Sequence, residues 1–190
     1  MATRGPRRTP AEPPGPERAL EIAVRHLGTR PRTRWELERR LRRAGADDRV
    51  VAATLDRLEA LGYVDDAAFA RWWGDQRDRH HPRGHRMIEA ELRQRGVPRE
   101  VVEAYREVHA DPERAPEDTG MPGDEPSRAW DALARHLRGR SLPSEPKALQ
   151  RVGMYLVRRG FDPETVRSTL REASTGDRSA DRGDPGGENP

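Results

Sequence analysis

The chain has no cysteine, a single lysine and only two phenylalanines in 190 residues. Without cysteine there is neither a disulfide framework nor a thiolate metal site. No run of about 18 apolar residues exists, so no segment is expected to span a membrane. The N-terminal residues are rich in Arg and Pro and lack an apolar stretch, so a secretory signal is not expected. A cytoplasmic protein is the resulting expectation. Leucine, isoleucine, valine and phenylalanine together number 29, below the roughly 20 % of a chain at which disorder sets in when net charge is high. The net charge is only +3, however, and all of these residues lie between Leu20 and Leu170. A core can form only there.

What the chain does have is arginine: every basic residue but Lys147. The guanidinium fork suits phosphates and carboxylates because it donates two parallel hydrogen bonds. The excess is spread along the whole chain rather than clustered, which a GC-rich coding sequence explains better than selection for phosphate binding does.

Residues 1–16 hold five prolines and two glycines and read as a disordered arm. Residues 110–126 hold six acids against Arg114 alone and read as an acidic linker. Residues 173–190 are polar without periodicity and read as a disordered tail. The intervening blocks read as helix. Leu20, Val24 and Leu27 keep a helical spacing. Thr33-Arg-Trp-Glu36 reads as a capping box, with the hydroxyl on a free N–H and Glu36 reaching back. Asp47 and Asp66 can cap the third and fourth helices, and Asp162-Pro163-Glu164 can open the last. Trp72 and Trp73 are adjacent, so one is expected in the core and the other on a flank.

A repeat underlies these helices. Pro31 and Gly45, Pro82 and Gly96, and Pro146 and Gly160 are each 14 residues apart. Leu41, Leu92 and Leu156 stand four before each glycine, Leu37, Ile88 and Val152 eight before, and Val51, Val102 and Val166 six after. Proline starts a helix, aliphatics at i and i+4 face a core, and glycine ends it before a second helix returns another aliphatic. With the helix that precedes each proline, the pattern predicts three three-helix repeats at 17–62, 63–109 and 127–172.

Enzyme chemistry finds little support. There is no Gly-rich phosphate loop and no serine nucleophile elbow. His81 and His85, four apart, could offer a metal two imidazoles, but solvated or phosphate-facing histidines explain His80, His81 and His85 better. Asp65 and Asp66 read as a cap and its neighbour. Basic stretches surround Arg30 to Arg43, Arg77 to Arg86, and Arg135, Arg138, Arg140 and Lys147. They suit a phosphate backbone or an acidic groove, while interleaved Glu36, Glu38, Glu89 and Glu91 equally suit solvated faces with intrahelical pairs.

The run Leu61-Gly-Tyr-Val-Asp-Asp66-Ala-Ala-Phe-Ala70 resembles the central signature of the RecX family, regulators of the RecA recombinase. Thr33 to Leu41 is similar to the family's first-repeat pattern, Pro82 to Val97 to the second and Leu156 to Phe161 to the third. The resemblance covers about 18–172. Pro82-Arg83-Gly84 stands where the family often has Gly-Pro, and the acidic stretch looks longer than usual. The resemblance implies an all-α protein of three tandem three-helix repeats in a curved, elongated arrangement. It also implies a non-enzymatic monomer that binds the RecA–DNA filament and inhibits its ATPase and strand exchange in DNA repair and recombination. Whether single-stranded DNA is touched directly is left open. No membrane partner, cofactor, metal ligand or catalytic residue is expected. The candidate filament or DNA contacts are Arg32, Arg34, Arg77, Arg79, Arg83 and Arg86, which flank the repeated prolines. A stand-alone helical DNA-binding module is the alternative, and a helical scaffold without nucleic acid a further one. Salt dependence separates them, because phosphate contacts weaken steeply with salt.

Overall fold

A computed structural model describes residues 12–110 and 125–176. The segments read as arm, acidic linker and tail lie wholly or mostly outside the described residues. Among the described residues there are nine helices and no strand: α1 (Pro16–Leu27), α2 (Arg34–Arg43), α3 (Asp48–Ala60), α4 (Asp66–His80), α5 (His85–Gln94), α6 (Arg99–Ala110), α7 (Glu125–Leu137), α8 (Pro146–Arg158) and α9 (Pro163–Thr175). No helix among them is long and apolar enough to cross a membrane. Two ends differ from the sequence reading: α7 begins at Glu125, inside the acidic stretch, and α9 runs on to Thr175 before Gly176 ends it in a left-handed conformation.

The chain forms two compact units. The first holds α1 to α3, the start of α4 through Phe69, and the Arg95–Val97 turn; the second holds the rest. In the first unit α1, α2 and α3 pack on one another around Leu37, Leu41, Val51, Leu55 and Leu58, each at most 3 % exposed. In the second, α5 packs on α6, and α7, α8 and α9 pack mutually, the latter around Ala129, Leu133, Leu156 and Phe161. Trp73 is buried and Trp72 half-buried, which fits adjacent residues about 100° apart on a helix.

The repeat register is physical. Leu41, Leu92, Leu156, Leu37 and Ile88 are fully buried, and Val152, Val51, Val102 and Val166 are at most 6 % exposed. Gly45, Gly96 and Gly160 all take positive φ, at 89°, 72° and 88°, the left-handed conformation that ends a helix without a Cβ clash. In the second unit Gly84 N–H donates to the Arg159 carbonyl at 3.0 Å. A Cβ on Gly84 would stand 2.2 Å from the Gly160 carbonyl carbon. The turn before α5 therefore lies backbone to backbone against the turn after α8, which requires glycine at 84.

The caps refine the sequence reading. Thr33 accepts the Glu36 N–H at 3.1 Å, Asp47 that of Val50 at 2.9 Å, and Asp162 those of Glu164 and Thr165. The expected return bond of the capping box does not form: Glu36 Oε1 takes Arg30 at 2.8 Å instead. The expectation that Asp66 caps α4 is also corrected. Asp65 does so, accepting the Ala68 N–H at 2.9 Å, while Asp66 accepts the Arg34 N–H at 3.0 Å and caps α2.

Candidate functional site

The arginines around the start of α2 divide by what holds them. Arg34 reaches two carboxylates of α3, Asp56 at 3.0 Å and Glu59 at 2.6 Å, and the Glu59 bond leads in raising its pKa. Arg32 instead donates to the His26 carbonyl at 3.3 Å and the Thr29 hydroxyl at 2.9 Å. Thr33, between them, is fully buried and donates to the Arg95 carbonyl at 2.7 Å. Trp35 lies over Gly96, where a Cβ would meet its ring at 2.4 Å, and Arg39 sits 4.3 Å above the Trp35 ring. This stacking builds a basic, aromatic surface on α2.

The second arginine set converges on one acid. Glu91, on α5, has a side chain only 8 % exposed. It accepts Trp73 Nε1 and Arg77 Nε, each at 2.7 Å, and pairs with Arg83. Arg77 also lies 4.3 Å over the Trp73 ring. A buried carboxylate needs such neutralisation, so Arg77 and Arg83 serve the fold of α4 on α5. Arg79 and Arg86 are exposed. The reading of Glu89 and Glu91 as solvated acids is corrected, since they are 7 % and 6 % exposed; Glu89 does make the intrahelical pair, to Arg93 at 2.7 Å. Nothing local announces Glu91 as a hub. The only trace in the sequence is Trp73 and Arg77 four apart, which sets both on one face of α4.

The histidines divide as well. His80 and His81 are exposed, but His85 is 8 % exposed, which corrects the solvated reading for that residue. Its Nδ1 lies 3.0 Å from Glu125, and its Nε2 meets the Arg128 guanidinium. That geometry fits a neutral ring donating from Nδ1 and accepting at Nε2. Arg128, 2 % exposed, stands 3.6 Å from Asp78. Burial pushes the Asp78 carboxyl up to about 6, against the pull of Arg128. Beside them His109 donates to the Tyr105 carbonyl at 2.6 Å, and burial pushes its imidazole down to about 4. This polar network ties α4, α5, α6 and α7 together inside the second unit. Sequence reasoning missed it because its members come from four helices, with Asp78 and Arg128 at opposite ends of the set in sequence. Among the described residues no group of three His, Cys, Asp or Glu could hold a metal.

The six candidate arginines thus form two local sets, with Arg34, Arg77 and Arg83 paired to carboxylates and Arg79 and Arg86 exposed, where they act on Asp75 and Asp162 only through their charge. A feature the sequence reading did not weigh is the exposed turn after α3, where Leu61 and Tyr63 of the signature are 58 % and 64 % exposed.

Comparison with known proteins places this architecture. A model of the first three-helix domain of RecX matches residues 19–58, and one of the second matches residues 65–105. The regulatory protein RecX of Thermobifida fusca is 37 % identical over 82 % of this chain and 78 % of its own length. That of Prosthecochloris aestuarii is 31 % identical over 83 % of this chain and 95 % of its own. The crystal structure of RecX from Lactobacillus salivarius shares the fold at a TM-score of 0.69, with 16 % identity, over 84 % of this chain and 97 % of that one. With identity at this level across most of both lengths, the chain belongs to the RecX family of regulatory proteins.

Proposed function

We propose that this chain acts as a monomer in the cytoplasm, binding the RecA–DNA filament and lowering its ATPase and strand-exchange activity, without catalysing a reaction itself. The observation that carries the reading is the 37 % identity to a RecX regulatory protein over 82 % of the chain. The surface chemistry supports it. Arg79 and Arg86 are exposed, and Arg32 hydrogen-bonds neutral oxygens, so all three can turn to an anionic filament without breaking an ion pair. Leu61 and Tyr63 add exposed apolar surface, the kind of group that anchors protein contacts. In this reading Arg32, Arg79 and Arg86 touch the filament, and Arg34, Arg77 and Arg83 position the helices that present them.

Strand exchange by RecA between a single-stranded circle and a homologous linear duplex tests the proposal. Added protein is expected to slow joint-molecule formation in a dose-dependent way. Unchanged exchange at saturating protein, with no binding to the filament, overturns it.

A further inference from the structure

In the register that aligns Gly45 with Gly160, α8 and α9 correspond to α2 and α3. In the first unit Arg34 bridges α2 to α3, meeting Asp56 at 3.0 Å and Glu59 at 2.6 Å. The corresponding residues in the second unit are Leu149, Arg171 and Ser174, so these positions cannot form an ion pair. Two outward positions change with them. Arg39 and Arg42 of α2 correspond to Met154 and Val157 of α8, which are 46 % and 39 % exposed. The last helix pair thus has an apolar groove where the first has a charged, bridged one.

The groove holds about 390 Å³ and is lined by Pro146, Leu149, Gln150, Gly153, Met154 and Leu170. Gly153 opens its floor: the residue at this place in α2 is Glu38, and even a Cβ here would stand 3.4 Å from Leu170. Lys147 and Arg151 on α8 and Arg167 and Arg171 on α9 are exposed. At about 100° per residue, the first two fall just outside Met154 and the last two just outside Leu170. A basic rim therefore flanks the apolar floor on each side. None of these four cations has a carboxylate partner among the described residues.

We infer that this groove docks an acidic amphipathic helix of a partner protein. The floor suits apolar side chains spaced along one helix face, and the rims suit acids flanking that face. A phosphate backbone would use the rims and leave the apolar floor unfilled. The chain's own undescribed segments do not supply such a helix, since residues 1–11, 111–124 and 177–190 hold Met1 and Met121 as their only large apolar side chains. The inference goes beyond the filament reading, which places its contacts on Arg32, Arg79 and Arg86.

The test uses the full-length protein without RecA. The probe is a fluorescein-labelled helical peptide with leucines at i, i+4 and i+7 and glutamates flanking them. A shuffled peptide of equal composition keeps the charge and loses the apolar face. Anisotropy is expected to show saturable binding of the first and at least about tenfold weaker binding of the second. Met154→Arg combined with Val157→Arg restores the residue types of α2. That variant is expected to keep its thermal melt and lose affinity by at least about tenfold, although it adds positive charge toward an acidic probe. Arg167→Gln combined with Arg171→Gln is expected to weaken binding several-fold and flatten its salt dependence. The control, Arg49→Gln combined with Arg57→Gln on α3, removes equal charge elsewhere and is expected to bind like wild type. Absence of binding by wild type, equal binding of the two peptides, or unchanged affinity in the Met154, Val157 variant overturns the inference. So does oligothymidylate binding that this variant abolishes, which would assign the groove to nucleic acid. Self-association that it abolishes would assign the groove to a second copy and overturns the inference as well. None of these measurements contains RecA, so this inference and the filament reading fail separately.

Discussion

Asp66 accepts the main-chain N–H of Arg34 at 3.0 Å, so the second acid of the signature caps a helix that begins 32 residues earlier. Asp65 meanwhile caps α4 through Ala68. Paired acids thus start two helices at once. Replacing Asp66 by Ala should cost about 1 kcal/mol, the usual value of a helix cap. Asp66→Asn should be at least as stable as wild type near neutral pH, because the amide oxygen still accepts and burial, which raises the Asp66 pKa, no longer penalises a charge. Urea denaturation of the two variants checks this; equal loss in both would contradict it.

Glu91 makes a second prediction sharp. Converting it to Gln strands Arg77 and Arg83 beside a neutral group in a site 8 % exposed, which should cost about 3–5 kcal/mol. Arg83→Ala leaves Arg77 to neutralise the acid and should cost less, about 1–3 kcal/mol. Arg79→Ala and Arg86→Ala should stay within about 0.5 kcal/mol of wild type, as exposed positions do. Chemical denaturation orders the four, and a large loss at Arg79 or Arg86 would place those arginines in the fold.

The pH dependence of stability holds two opposed contributions. Asp78 is raised from 3.8 to about 6, so its folded form favours the neutral acid; stability it contributes below pH 4 is lost as pH rises through 6. His109 is lowered from 6.5 to about 4, so stability it contributes above pH 6.5 is lost as pH falls through 4. Each amounts to about 3 kcal/mol over its window, and they nearly cancel. Relative to wild type, Asp78→Asn should lose stability between pH 6 and 4, and His109→Gln should gain it. Parallel stability profiles for all three proteins would contradict this.

Leu92 and Leu156 occupy the same repeat position and are both fully buried. Truncation of either to Ala should cost about 2–5 kcal/mol through lost burial and a cavity. A loss below about 0.5 kcal/mol, typical of the surface, would break the register.

These two leucines also show what was legible in the sequence. Proline, aliphatic and glycine spacings are local, and a helix converts them directly into a buried face and a left-handed stop. The cap of α4 was misplaced by one residue because Asp65 and Asp66 are chemically alike; only the helix at Arg34 decides between them. Glu91, His85 and Arg128 were hidden for a different reason. Their partners come from other helices, and a charged residue in a helix looks the same in sequence whether it faces water or a buried counterion. The turn between α7 and α8 carries a left-handed Arg138, a conformation that glycine or asparagine signals in a sequence and arginine does not.

The most direct measurement of the central claim is the steady-state ATPase of RecA on single-stranded DNA, titrated with this protein and with its Arg79→Ala, Arg86→Ala double variant. Hydrolysis should fall in a saturable way with wild type, and the variant, folded and equally helical, should need several times more protein for the same effect. Hydrolysis unchanged at saturating wild-type protein, with no co-sedimentation on the filament, would contradict the account.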